Sequence, residues 1–294
     1  MARPPAVRWT FHGTAAVRSY ADTLAWLDRF VGCKALEWSD APPPVARIGG
    51  CCWLADNQLE LAEPNAKDSP TAKFIERFGP GYLNLAVQVD DLGAAHEWFS
   101  ARGAVPILPP DNHFTFTHPA HICGLQFEWA DMRDLDWDPR HLAKAPARGS
   151  PLIDAPRIAH WGGMVADPKA AVARIVELCP MNVAFERYDA PAGAPAAALS
   201  LQDGLLTLYR APADEAEALR LWGTRVAKPR FHHMAFRVRD LAAAQATFGR
   251  EGVRILRGSA PEGEIVTHPD DTQGLCMVWT DRDLPGDPRG PLGA

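Results

Sequence analysis

The sequence predicts an α+β protein of two tandem domains, each a pair of βαβββ units that form a curved mixed sheet with flanking helices. The first observation is a phrase written twice, THPAHICGLQFEW at 117–129 and THPDDTQGLCMVW at 267–279. The second is that matching blocks recur at a nearly constant distance. The third is that each copy divides into two halves that begin with a short apolar strand and a helix.

The distance between matching residues predicts duplication of a whole domain. It stays between 147 and 150 residues for four pairs: His12 with His160, Glu60 with Thr207, Asn84 with His233, and Thr117 with Thr267. A solenoid would repeat at a much shorter period.

Local patterns support the βαβββ units. Four apolar residues within 20–31 recur at helical spacing, and Leu and Val alternate along 85–89 as in a half-buried strand. Asp167 followed by Pro168 indicates the start of a helix. Apolar segments of strand length follow each helix. The predicted divisions are a first domain at 1–131, a linker at 132–156, a second domain at 157–282 and a frayed tail at 283–294.

Composition limits the class of protein. The chain has 294 residues, 47% hydrophobic and 22% charged, which is typical of globular proteins. A net charge of −6 without a basic block gives no reason to expect nucleic acid as a partner. No apolar run has the length of a membrane span, and the N-terminus lacks an apolar signal core. Six cysteines without a CxxC pair predict buried, reduced thiols. We therefore expect a cytoplasmic monomer or homodimer that binds a small-molecule substrate, without membrane partners.

The repeated blocks resemble the vicinal oxygen chelate superfamily, which includes glyoxalase I, methylmalonyl-CoA epimerase, extradiol dioxygenases and bleomycin-resistance proteins. The phrases that carry the resemblance are HxxxxV after a short strand, the VxDL junction between strand and helix, and THPxxxxGLxxxW. The resemblance covers residues 8–131 and 157–282. It implies the fold, and it leaves the activity open because one fold hosts many functions.

The resemblance also implies four ligand positions in each domain. In the first domain they hold His12, Glu60, Asn84 and Glu128, and in the second they hold His160, Thr207, His233 and Val278. The first domain thus departs from the family pattern at Asn84, while the second has lost both carboxylates. We expect Val278 to lie in apolar surroundings.

The resemblance predicts that His12, Glu60 and Glu128 bind a divalent metal ion (Zn, Ni, Mn or Fe(II)), for which imidazole and carboxylate ligands are suited. Asn84 would contact substrate or add a weak ligand. Glu128 or Glu60 would also act as a catalytic base. Without a metal, one carboxyl group should have a raised pKa or a basic side chain should enter the cleft, because two buried carboxylates repel each other.

Three functions fit these positions. The leading hypothesis is a glyoxalase-like metal-dependent isomerase, lyase or epimerase that acts on a small oxygenated substrate. The alternatives are an extradiol-type ring-cleaving dioxygenase and a non-catalytic binder of small aromatic molecules. Ten tryptophans suit the binder.

The pairing of the four units is a second open alternative. Some superfamily members exchange units, which would group His12, Glu60 and His233 as a two-histidine-one-carboxylate set. It would also group Asn84, Glu128 and His160. The short connection within each domain favours the unexchanged pairing. Alternation along a strand further predicts that His232 faces away from His233.

Overall fold

The structure is a computed structural model that describes residues 3–42, 46–109, 113–131, 145–189, 195–225 and 227–293. The α-helices in these ranges are α1 (Tyr20–Val31), α2 (Pro70–Phe78), α3 (Leu92–Ser100), α4 (Pro168–Leu178), α5 (Glu215–Trp222) and α6 (Leu241–Glu251). The strands of the N-terminal domain are β1 (Val7–Ala16), β2 (Lys34–Ala35), β3 (Ser39–Ala41), β4 (Arg47–Leu54), β5 (Asn57–Pro64), β6 (Gly81–Val89), β7 (Phe114–Thr117) and β8 (Phe127–Ala130). The strands of the C-terminal domain are β9 (Arg157–Val165), β10 (Asn182–Asp189), β11 (Pro195–Leu201), β12 (Gly204–Arg210), β13 (Arg230–Arg237), β14 (Ile255–Ser259), β15 (Glu264–Thr267) and β16 (Cys276–Thr280).

Polar residues cap the helices, and α4 starts at Pro168 as the sequence predicts. The Ser19 side chain accepts a hydrogen bond from the Asp22 backbone N–H at the start of α1, and Asp167 caps α4 in the same way before Pro168. Gly32 ends α1 with φ 75°, a left-handed conformation that favours glycine. No helix among the described residues is long and apolar enough to cross a membrane.

The two sheets have matching strand orders. The N-terminal sheet runs β2-β4-β5-β1-β6-β8-β7, with β3 also paired to β4. The C-terminal sheet runs β10-β11-β12-β9-β13-β16-β15-β14. Both are mixed: β1 is parallel to β5 and antiparallel to β6, and β9 pairs with β12 and β13 in the same way. The predicted α+β fold of two curved mixed sheets with flanking helices is confirmed.

The topology also answers the question of pairing. The two units of the N-terminal half share one sheet, and the two units of the C-terminal half share the other. The units are therefore not exchanged, as the short connections favoured. One face of each sheet packs on its helices, where Trp129 contacts Phe99 and Trp279 contacts Phe248.

The domains meet through a pseudo-two-fold pair of hydrogen bonds. The Asp56 carboxylate accepts from the Ile158 backbone N–H at 2.8 Å, and the Asp203 carboxylate accepts from the Thr10 N–H at 2.8 Å. The repeat relates Asp56 to Asp203 and Thr10 to Ile158. Each domain therefore contributes a carboxylate that accepts a hydrogen bond from the first strand of the other domain.

An aromatic ring from the C-terminal domain also backs the first strand of the N-terminal domain. A Cβ atom on Gly13 would lie 2.3 Å from a ring carbon of Trp161. Only glycine therefore fits next to His12 at this contact, and both residues follow the histidine of their own domain.

Parts of the predicted linker and tail contact the two domains. Residues 132–144 of the linker lie outside the described residues. Further along the linker, the Ile153 backbone N–H donates to the carbonyl oxygen of Phe30 near the end of α1. The expectation of a frayed tail was wrong at Arg289. Its guanidinium donates to the Asp56 carboxylate and to the Ile158 carbonyl oxygen, so this part of the tail is held against both domains.

Candidate functional site

The concave face of the N-terminal sheet brings the predicted site residues together. Thr14 of β1 lies beside Glu60 of β5, and Ala86 of β6 lies between His12 and Glu128 in register. The three predicted ligands are therefore on neighbouring strands, and all are buried. A register shift between Thr10 and His12 marks a bulge, which is frequent beside active sites because it redirects side chains.

The His12 imidazole lies between the two carboxylates. Its Nδ1 is 4.0 Å from an oxygen of Glu60, and its Nε2 is 3.9 Å from an oxygen of Glu128. Opposite edges of the ring therefore face the two acids.

Thr14 determines which nitrogen of His12 carries the proton. The Thr14 hydroxyl donates to Glu60 at 2.9 Å and lies 3.2 Å from His12 Nδ1. Since a hydroxyl has one hydrogen, its oxygen is left to accept from Nδ1–H. This assigns the Nδ1–H tautomer and leaves a lone pair on Nε2, directed towards Glu128.

Arg47 enters the cleft and contacts Glu60. The two side chains form an ion pair, and both are mostly buried. The ion pair and the Thr14 hydroxyl engage both oxygens of Glu60. The sequence predicted a basic side chain in the cleft but did not identify Arg47, because its place there depends on the pairing of β4 with β5. Thr14 could have been found, since it follows His12 by two positions on the same strand.

Glu128 differs from Glu60 in its electrostatic surroundings. Burial raises the pKa of Glu128 to about 8, and the nearby Glu60 adds to this effect, while Arg47 and Asn84 oppose it. The Asn84 amide N–H group lies 3.5 Å from a Glu128 oxygen, and Asn84 Oδ1 has no hydrogen-bond partner. The carboxyl group of Glu128 is thus predominantly protonated at neutral pH, and the amide oxygen of Asn84 beside it can accept a hydrogen bond from a substrate hydroxyl.

These three residues do not present a metal ion with three donors. A histidine nitrogen binds one ion, and Glu60 and Glu128 face different nitrogens of His12. Zinc sites in proteins use at least three protein ligands around one point. The described residues contain no group of three or more His, Cys, Asp or Glu side chains arranged to hold a metal. The arrangement fits a proton-transfer site better than a metal centre, and the predicted ligand roles stay predictions.

The matching face of the C-terminal domain is filled by its own side chains. His160 and His233 are neighbours, with ring centroids 5.3 Å apart, and Trp222 of α5 stacks on His233 at 4.9 Å. Tyr209 contacts both histidines. Burial lowers the pKa of His160 to about 4 and holds the pKa of His233 well below its ordinary value, so both histidines are neutral at neutral pH.

Val278 lies in the apolar part of this face, as predicted. It is buried with Met164, Ala235 and Val266, and Thr207 is also buried with its hydroxyl unpaired. The second face therefore lacks both carboxylates and keeps two neutral histidines.

Two further predictions can be compared with the geometry. The expectation that His232 faces away from His233 was wrong. Their Nδ1 atoms lie 3.4 Å apart because a register shift between Phe231 and His233 breaks the alternation. The exchanged ligand sets do not form either, because His12 and Glu60 lie in one sheet while His160 and His233 lie in the other. The dioxygenase alternative depended on such a set.

A family comparison agrees with this architecture. Residues 11–118 match the model of the glyoxalase/bleomycin resistance protein/dioxygenase superfamily. The match falls within the N-terminal domain and covers less than half of the chain. Superfamily members typically use a divalent metal ion. Among curated proteins, no sequence relative matches the chain.

Two solved structures match both domains of the chain at low sequence identity, and a third matches one domain's length. A mutant of 4-hydroxymandelate synthase from Streptomyces coelicolor has a TM-score of 0.64 and 15% identity, over 97% of this chain and 96% of that chain. A fusion of a xylose isomerase-like TIM barrel with 4-hydroxyphenylpyruvate dioxygenase has a TM-score of 0.58 and 17% identity, over 95% of this chain and 49% of that chain. Methylmalonyl-CoA epimerase from Mycobacterium tuberculosis has a TM-score of 0.40 and 22% identity, over 45% of this chain and 92% of that chain. At such identities the first two matches establish the fold alone.

Proposed function

We propose that the concave face of the N-terminal domain catalyses proton transfer on a small oxygenated substrate, as an isomerase, epimerase or lyase. One observation carries this proposal. The lone pair of His12 Nε2 faces the protonated carboxyl group of Glu128 across 3.9 Å. A substrate atom beside that gap can lie about 3 Å from both groups, within the reach that general acid–base catalysis requires.

The two groups have complementary roles at neutral pH. His12 Nε2 takes a proton from a carbon next to the substrate carbonyl group, and Glu128 donates its proton to the carbonyl oxygen, which gives a neutral enol. Return of the two protons to new positions completes an isomerisation or an epimerisation. Elimination of a leaving group from the enol would instead give a lyase.

Neighbouring side chains position this pair. Glu60 and Thr14 fix the tautomer of His12, and Arg47 balances the charge of Glu60. Asn84 Oδ1 is available for a substrate hydroxyl group. No step passes through a metal ion, because the donors do not face one point.

The rest of the cleft supports a substrate with an apolar part. Phe11 is buried with Ala86 and Ala130 on this face, and Phe114 packs against them. We also propose a cytoplasmic location for this activity, which the six free cysteines support.

Hydrogen–deuterium exchange tests the proposal without knowledge of the full reaction. The protein is incubated in D₂O with a panel of 2-oxo acids, α-hydroxyketones and 2-substituted thioesters, and loss of the α-proton is followed by NMR. We expect exchange with at least one class, reduced by at least about 100-fold in His12→Ala and in Glu128→Gln. The rate should fall as the pH rises through about 8, where Glu128 loses its proton.

His160→Ala is the matched control, because it removes the corresponding histidine of the C-terminal domain. It should exchange within twofold of the wild type. Equal exchange in wild type and Glu128→Gln would overturn the proposal. Absence of exchange, with binding of small aromatic molecules that depends on Glu128 and His12, would leave the binding-protein alternative.

A further inference from the structure

A groove of about 600 Å³ lies between the two domains, away from the site described above. Its walls are α2 and the start of β6 on one side, and the start of α4 and of β13 on the other. This volume is in the range of small-molecule sites, which often lie between domains. Most of the lining is apolar, including Phe74, Phe78 and Phe231.

Arg230 brings a buried positive charge to this groove. The residue is 8% exposed, and its Nε–H group has no hydrogen-bond partner. One terminal nitrogen donates to the Thr224 hydroxyl at 3.4 Å, which is a weak contact. Within the described part of the chain, Arg230 forms no ion pair with a carboxylate. Burial lowers its pKa to about 10, so the guanidinium stays charged at neutral pH.

A buried charge without an ion-pair partner is costly in free energy. Because Arg230 lines the groove, an anion bound there could form an ion pair with it. The Nε–H and the adjacent terminal N–H groups of arginine form a planar fork that binds both oxygens of a carboxylate or phosphate. In Arg230 one arm of that fork is unpaired and the other is weakly engaged.

Other charges at the groove favour an anion. Arg77 and Lys228 are exposed at its edge. The guanidinium carbons of Arg77 and Arg230 lie 4.9 Å and 5.8 Å from the centre of the same Phe78 ring. The Asp167 carboxylate also lines the groove, but it accepts hydrogen bonds from the first backbone N–H groups of α4. Three cations therefore face one committed carboxylate, in a chain whose net charge is −6.

The repeat shows that the positive charge at Arg230 has no counterpart at the matching position of the N-terminal domain. The position that matches Arg230 in the N-terminal domain is Gly81, 149 residues earlier. Gly81 lies next to Arg230, since a Cβ atom there would be 3.5 Å from its terminal nitrogen. The fold alone does not require an arginine here.

We propose that this groove binds a small amphipathic organic anion, whose oxyanion head pairs with Arg230 and whose apolar body lies on Phe74, Phe78 and Phe231. This site is independent of the acid–base pair in the N-terminal cleft. Because its walls come from both domains, the ligand holds them together.

Three probes that carry a phenyl ring test the proposal, namely phenylacetate, phenyl phosphate and the neutral phenylacetamide, together with inorganic phosphate, which has no apolar body. Binding is measured by isothermal titration calorimetry on the full chain. We expect one or both aromatic anions to bind at least tenfold more tightly than the amide and than inorganic phosphate. The ratio between the two anions identifies the head group. Arg230→Met should weaken the preferred anion at least tenfold, while the exposed Arg220→Met, outside the groove, should not change it.

Cys123 gives a readout that reports the site itself. It lines the groove and is partly exposed, whereas the other five cysteines are buried. The preferred anion should slow its alkylation by iodoacetamide at least fivefold in the wild type. If Arg230→Met does not fold, Arg77→Met together with Lys228→Met should still weaken binding, because both side chains are exposed. Equal binding of anion and amide, no protection of Cys123, or an unchanged affinity in the Arg230 and rim variants would overturn the proposal.

Discussion

The two concave faces are built from matching strands, but they differ in what covers them. The N-terminal face holds a charged and polar set around His12, with Arg47 above Glu60. The C-terminal face is closed by Trp222, which stacks on His233, and contains neutral histidines beside Val278. After duplication, one face can carry the chemistry while the other contributes to packing. The carboxylates are kept only where a cation and hydrogen bonds balance them.

The largest effect on stability is expected when the residues at positions 128 and 278 are each replaced by the residue of the other domain. Val278→Glu puts an acid into apolar surroundings, where it should lower the free energy of unfolding by roughly 3–5 kcal/mol at pH 9. Glu128→Val removes a buried acid and should change the free energy of unfolding by less than about 1.5 kcal/mol. Urea denaturation measures both.

The stability of Val278→Glu should also depend on divalent metal ions. Val278→Glu joins two histidines with a carboxylate, so Mn(II) or Fe(II) should recover part of its stability, whereas the wild-type C-terminal face should bind neither ion at micromolar concentration. Tight metal binding by a Glu128→Val variant, whose C-terminal face is intact, would contradict this expectation.

The two faces should also give opposite pH dependences. The folded pKa of Glu128, about 8, lies above its ordinary 4.5, so folded protein binds the extra proton and the free energy of unfolding falls as the pH rises from 4.5 to 8. The folded pKa of His160, about 4, lies below 6.5, so the unfolded chain binds the extra proton. The free energy of unfolding therefore falls as the pH drops from 6.5 to 4.

Each slope should reach at most about 1.4 kcal/mol per pH unit. Glu128→Gln should abolish the slope between pH 6.5 and 8, and His160→Asn should reduce the one between pH 6.5 and 4. The exposed Glu76→Gln serves as a control that leaves both unchanged. An unaltered slope above pH 6.5 in Glu128→Gln would count against a protonated Glu128.

Removal of the cation from the N-terminal face should make it more attractive to metal. Arg47→Met leaves Glu60 and Glu128 without a balancing charge, so Zn(II) or Mn(II) should bind at least about tenfold more tightly, or about 1.4 kcal/mol. Arg257→Met is the matched control in the C-terminal domain, since Arg257 lies over Trp222. Equal affinities of wild type and Arg47→Met for Zn(II) or Mn(II) would show that the charge of Arg47 does not take the place of a metal ion.

The smallest expected effect concerns the contacts that the two domains share. Asp56→Asn and Asp203→Asn should each lower the free energy of unfolding by about 1 kcal/mol, because each weakens a charge-assisted hydrogen bond to the opposite first strand. Only Asp203→Asn should also reduce proton exchange, since its partner Thr10 lies two residues before His12. Equal exchange rates in the two variants would argue that the strand position is set elsewhere.

Much of the fold follows from the sequence because duplication is visible as a constant offset. That offset and the apolar patterns predict the two sheets and the apolar surroundings of Val278. The side chains around His12 were harder to predict. The Arg47 contact depends on which strands pair, and the His232 orientation depends on a bulge, which strict alternation cannot show. The stacking of Trp222 on His233 likewise brings together two elements that no local pattern relates.

The contact between Trp161 and Gly13 makes the first strand of the N-terminal domain depend on the C-terminal domain. The ring of Trp161 occupies the space that any side chain at position 13 would need. The strand that bears His12 is thus shaped by a residue that the duplicate supplies. Without the C-terminal domain, the space beside Gly13 would be empty and this strand would lose that support. A substitution at Trp161 should therefore disturb the strand that bears His12, although Trp161 belongs to the other domain.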